Sequence, residues 1–173
     1  MLFRSEQPAI VAAVERIASQ LGLASTARTA TTFIDAQTME IHHTKHHQAY
    51  IDKLNAVLDK HTDLADWPLE KLLAEVETLD IPADDKKMIR NHGGGHSNHT
   101  FFWQIMGPEK NVDQELKAAI EQEWQSVETF QKAFNEKAAA IFGSGWMWLA
   151  RNQEGALELY ATGQQDSTLM KGH

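Results

Sequence analysis

Seven of the nine histidines fall in two short strings. The first, Met39–Tyr50, reads MEIHHTKHHQAY and sets four imidazoles and a phenol close together. On a helix, His42, His46 and Tyr50 lie four residues apart and share one face, while His43 and His47 share the neighbouring one. A lone histidine is more often a hydrogen-bonded side chain than a ligand. Four beside a tyrosine point instead to metal binding or proton handling. The second string, Asn91–Trp103, reads NHGGGHSNHTFFW. Each of its three glycines, if helical, costs about 1 kcal/mol relative to alanine, so something must pack closely on that backbone. The alternative is a loop in which glycine breaks the helix. His96 and His99, three apart, project in nearby directions, and both need not be ligands. Phe101, Phe102 and Trp103 would wall such a site against water, although core packing explains them equally well.

The chain contains no cysteine. That removes disulfides, thiolate metal sites and thiol catalysis, and leaves imidazole and carboxylate as ligands. Imidazole nitrogen suits a first-row transition ion such as manganese, iron, zinc or copper. Two imidazoles do not complete a catalytic metal site, which usually takes three protein ligands. Spacing therefore leads to a transition-metal site between two helices, with its chemistry open.

The elements that must hold these residues are mainly helical. Asp35 is a plausible N-cap, and Ala36–His61 runs without glycine or proline. A polar stretch with Pro68 precedes a short helix near Leu69–Leu79. Ile81-Pro82-Ala83-Asp84 reads as a break and restart, and the next helix extends to about Met106, where Gly107-Pro108 stops it. Residues 33–110 thus form a long antiparallel helical hairpin. Residues 111–173 form a second unit with helices at Gln114–Trp124 and Val127–Phe142. After Gly143-Ser144-Gly145 the pattern alternates: Trp146, Trp148 and Ala150 on one face, Met147, Leu149 and Arg151 on the other. Asn152–Gly155 is a turn, and Ala156–Thr162 is a second strand, followed by a loop through Lys171. Two strands alone are marginal in water. The fold class is α+β: a helical hairpin followed by an incomplete α/β domain with a short antiparallel sheet.

Residues 1–32 stand apart. They carry three arginines, many small residues and only Glu6 and Glu15 as acids. The segment reads as an amphipathic helix near Pro8–Leu21, with a transit peptide as the alternative. The corresponding compartments are the cytoplasm and the mitochondrial matrix. The chain has 173 residues, 42% apolar and 23% charged, which suits a globular protein with one or two small domains. A formal charge of −8 argues against nucleic-acid binding, and no apolar run reaches the length of a membrane span. Net charge does not exclude a local positive patch that draws in a small anion.

These strings resemble the manganese/iron superoxide dismutase family. Asp35–Tyr50 is similar to its first ligand helix and Asn91–Trp103 to its second. FGSGWMWL at Phe142–Leu149 resembles the strand entrance, and QQDSTLMKG at Gln164–Gly172 the loop after the second strand. The likeness runs from Phe33 to Gly172 in the family's order. It implies that His42 and His99 are metal ligands, that His46 and Tyr50 form the gateway for superoxide and help relay protons, and that Trp146 lines the cavity. Gln165 would hydrogen-bond the metal-bound solvent and Tyr50. Gly95, by leaving room for a glutamine from the later loop, resembles the manganese-preferring type, with iron as the alternative. The implied reaction converts superoxide to oxygen and hydrogen peroxide by redox cycling of the ion, with no nucleic-acid or membrane partner, in a homodimer or tetramer.

Two departures qualify that implication. The family's Pro/Tyr-rich opening has no counterpart in Met1–Thr32. Its Asp-x-Trp-Glu-His-Ala-Tyr-Tyr motif, source of the third and fourth ligands, does not occur in these 173 residues. This chain alone is therefore expected to be weak or inactive. The alternative is a non-catalytic metal-binding or interaction remnant.

Overall fold

A computed structural model describes residues 34–105 and 113–171 of the chain. The expected N-terminal amphipathic helix and the Gly107-Pro108 stop lie outside the described residues. Asp35 caps the first helix as expected, its carboxylate accepting from the Thr38 amide at 2.8 Å and the Thr38 hydroxyl at 2.7 Å. Helix α1, Ala36–Ile41, passes without a break into a π-helical segment, His42–His47, and then into α2, Gln48–Leu58. The regular helix stops three residues before His61. Lys60 and His61 already donate to carbonyls only three residues back, which tightens the end into turns.

Helix α3, Leu69–Ala74, is shorter than the apolar pattern suggested, because Glu75 leaves helical geometry and turns follow. Helix α4, Ala83–Met88, starts after Pro82 and passes through a second π-helical segment, Ile89–Gly93, into α5, Gly94–Ile105. The triple glycine is thus helical. Between the two long helical runs lies the main core: Leu54, Val57, Leu58, Leu64, Leu72, Val76, Leu79 and Ile89. Burying such side chains stabilises the hairpin by about 1.5–3 kcal/mol each relative to leaving them in water.

The second unit is more thinly packed. Helix α6, Gln114–Trp124, is capped by Asp113, whose carboxylate accepts from the Glu115 and Leu116 amides. Helix α7, Val127–Ala139, is capped by Ser126. It ends before the expected Phe142: Ile141 donates back to Ala138, Gly143 adopts a left-handed φ of 77°, and Phe142 is left fully exposed. Strands β1, Gly145–Arg151, and β2, Leu157–Gly163, form an antiparallel pair with Trp148 opposite Tyr160 and Gly145 opposite Gly163. The chain then returns to the hairpin. A 3-10 turn, Thr168–Lys171, lies on α3, and Met170 packs against the hairpin core. Helices, hairpin and two-stranded sheet together make the expected α+β fold.

Candidate metal centre

His42 and His99, fifty-seven positions apart, bring their Nε2 atoms to 3.0 Å. Two nitrogens held about 2.1 Å from one ion, an ordinary imidazole–metal bond, stand about 3.0 Å apart when they subtend a right angle. The tautomer of His99 also fits. Its Nδ1–H donates to the Gly95 carbonyl at 2.7 Å, which keeps the proton on Nδ1 and leaves the Nε2 lone pair facing His42. Burial lowers the pKa of both rings, and neighbouring imidazoles push in the same direction. Both are neutral at pH 7, the state in which imidazole binds metal. The donor pair therefore fits a transition ion. Among the described residues, no group of three or more histidine, cysteine or acidic side chains converges on one point. The pair alone falls short of the three protein ligands that a catalytic metal site usually takes.

Both histidine-bearing helical runs are π-helical beside the pair, a local widening found often at functional sites. The two histidine faces expected from a regular helix meet around His99 and Trp103. The ring of His99 lies 5.0 Å from His42, 5.6 Å from His47 and 5.3 Å from Tyr50. Trp103 lies 5.1 Å from His42 and 5.4 Å from His43. Phe102 lies 6.0 Å from His42, whereas Phe101, about half exposed, packs at a tilt against Trp148.

A second imidazole pair lies beside the first. The Trp103 indole N–H, which can only donate, gives its proton to His47 Nδ1 at 3.0 Å. His47 must then carry its own proton on Nε2 and donate it to His96 Nδ1, 2.8 Å away. Burial, helped by His96, His99 and His43, lowers His47 to a pKa of about 3, and burial lowers His96 to about 4. Sequence spacing placed His47 and His96 near the site. It could not show that they pair with each other, because that depends on the helix crossing and on Trp103.

His46 is exposed, 5.9 Å from His42, and with Tyr50, Lys45, Ala49 and Lys53 lines an open concavity of about 270 Å³. Two lysines at this mouth make it locally cationic on a chain of formal charge −8. Trp146, on β1, meets His99 edge to face at 5.2 Å, and its indole N–H donates to Gln165 Oε1 at 3.2 Å. That bond orients the Gln165 amide: its oxygen faces the indole, and its NH₂ remains a donor. The structure thus gathers His42, His46, Tyr50, His99, Trp146 and Gln165 into one cluster.

Two of the three glycines admit close neighbours. A Cβ on Gly95 would sit 2.6 Å from the Tyr50 ring, so glycine at this position admits that ring. A Cβ on Gly94 would sit 2.1 Å from the Gln165 backbone oxygen. Gly94 is the residue that admits the glutamine loop.

Residues 27–107 match the alpha-hairpin domain of iron/manganese superoxide dismutases, and residues 112–173 match the C-terminal domain of the same proteins. The superoxide dismutase (Mn) of Listeria innocua serovar 6a is 46% identical over 140 residues, covering 80% of this chain and 68% of the relative. The superoxide dismutase (Mn) of Listeria ivanovii shows the same identity and coverage. The chain belongs to the iron/manganese superoxide dismutase family.

Proposed function

We propose that the cluster around His42 and His99 is the superoxide dismutase site of this chain, with manganese as the metal and iron as the alternative. The observation that carries the reading is the convergence of the two Nε2 atoms at 3.0 Å, with the His99 proton held on the far side of its ring. When bound, the ion supplies a trivalent/divalent couple that oxidises one superoxide to oxygen and reduces the next, with two protons, to hydrogen peroxide. The protein supplies the remainder. Lys45 and Lys53 draw the anion towards the mouth. The His46 ring and the Tyr50 hydroxyl, which line that mouth, are the groups placed to pass protons inward. Gln165, held by Trp146, presents N–H donors that favour an anionic oxygen in the site. Phe102, Trp103 and Trp146 exclude water around the ligands, which strengthens each of these electrostatic contacts.

The described residues furnish two ligands, where catalytic sites ordinarily use three. The 173-residue polypeptide is therefore expected to retain manganese weakly and to turn over slowly. The test is superoxide consumption by the manganese-loaded chain, with unbound metal chelated. Slow consumption that disappears in a His42→Ala/His99→Ala variant supports the reading. Firm metal retention with no consumption would favour a metal-binding remnant. Consumption unchanged in the double variant would refute the site.

A further inference from the structure

The loop that carries Gln165 comes from the second unit, yet the ligands it must face belong to the hairpin. Something has to hold the loop at that position. Its entrance is costly: Gln164 adopts a left-handed φ of 50°, a conformation that a non-glycine side chain keeps only when its surroundings impose it. The imposing contacts come from both units. The Gln164 amide donates to the Ser144 carbonyl at 2.7 Å, and the Asp166 amide donates to Gly163 at 3.1 Å. From the hairpin, buried Asn98 donates its side-chain NH₂ to the backbone oxygens of both Gln165 and Asp166, each at 3.2 Å. Asn98 lies one residue before ligand His99, so this fork ties the loop to the ligand turn itself.

A further tie is ionic. Arg90, in the second π-helical segment, meets Asp166 side-on across 76 positions of sequence, Nε to Oδ1 at 2.8 Å and a terminal nitrogen to Oδ2 at 2.6 Å. Its other terminal nitrogen reaches Glu77 at 2.6 Å, which fixes the guanidinium from the opposite side. A planar two-point pair of this kind constrains direction as well as distance, which a lysine in the same place would not. The loop sequence alone assigns Asp166 no ligand role, and this grip is its structural task.

We propose that Arg90 is a positioning residue for Gln165: by gripping Asp166, it holds the strained Gln164–Asp166 turn so that the glutamine amide stays against Trp146 and faces the metal ligands. The proposal rests on the reading of Gln165 as a site residue, and its test separates the two. The five tryptophan indoles of the ¹⁵N-labelled full chain each give an N–H signal, and a Trp146→Phe variant assigns the one bonded to Gln165. Asp166→Asn and Arg90→Gln should move the Trp146 indole signal towards that of a Gln165→Ala variant. Trp67, which packs under Lys71 in the hairpin, should stay unmoved. Arg90→Lys, which keeps the charge and loses the fork, should move the signal part of the way. The charge-exchanged pair Arg90→Asp/Asp166→Arg should restore some of the shift.

If a variant loses the Trp67 signal as well, it has unfolded, and the milder Arg90→Lys decides the matter. A Trp146 signal unmoved in folded Arg90→Lys and Asp166→Asn would overturn the proposal. Should the signal move while Gln165→Ala leaves superoxide consumption unchanged, the positioning stands and the catalytic reading of Gln165 falls.

Discussion

At the scale of single residues, the site is governed by small distances between rigid groups. Gly94→Ala would drive a methyl to 2.1 Å from a backbone oxygen, and Gly95→Ala would drive one to 2.6 Å from the Tyr50 ring. Alanine gains about 1 kcal/mol of helix propensity at either position, but overpacking against groups that cannot rotate away costs about 1–3 kcal/mol. Both variants are expected to lower the denaturation midpoint, Gly94→Ala more, because backbone must move. Equal or raised midpoints would show that the loop and ring have slack. Trp103→Phe leaves the buried His47 Nδ1 without its donor, at a cost of about 1–3 kcal/mol. It also frees the ring to change tautomer. ¹⁵N signals of His47 should report a protonated Nε2 in the parent chain and a mixture in the variant. At this scale the sequence revealed the histidines, since four imidazoles on one helix are hard to explain otherwise. It did not reveal Arg90, Asn98 or Trp103 as their supports. Those roles arise from contacts between residues many tens of positions apart, and local spacing carries no trace of them.

At the scale of elements, the helices and strands were legible because their signals are local: Asp35 as a cap, apolar periodicity, and the alternation after Gly145. The π-helical turns were not. A regular 3.6-residue period puts His42 and His43 on neighbouring faces, and only the packed helix pair shows that both rings meet Trp103. The elements also differ in how firmly they are held. The hairpin owns all the buried large side chains of the described residues except Ile120, and α7 buries none. Amides of Leu54–Leu58 should therefore exchange with solvent at least about tenfold more slowly than those of α7, a difference of about 1.4 kcal/mol. Uniform protection along both elements would mean that the second unit is stabilised by something other than its own core. Leu72→Ala, at a site with no solvent exposure, should cost about 2–5 kcal/mol.

At the scale of the whole molecule, the imidazole pair beside the candidate ligands ties stability to pH. In the metal-free chain His47 and His96 are held neutral, with pKa values of about 3 and about 4 against 6.5 for an exposed ring. Between those values and pH 6.5 the unfolded chain binds protons that the folded chain refuses. Stability therefore rises with pH through this window, is complete above about pH 6.5, and is lost as pH falls towards 4. Denaturant midpoints measured from pH 7 to pH 4 should fall in the parent and fall less in His47→Gln. An identical slope in both would show that these rings are not the cause. The claim on which the remainder depends is that His42 and His99 bind one ion between the two helices. Substoichiometric Mn²⁺ added to the ¹³C,¹⁵N-histidine-labelled chain tests it directly, because paramagnetic broadening needs only fast, weak binding. His42 and His99 should broaden first, while His61, paired with Asp85 just past the end of α2, stays sharp. Broadening that spares this pair, or that survives unchanged in His42→Ala/His99→Ala, would contradict it.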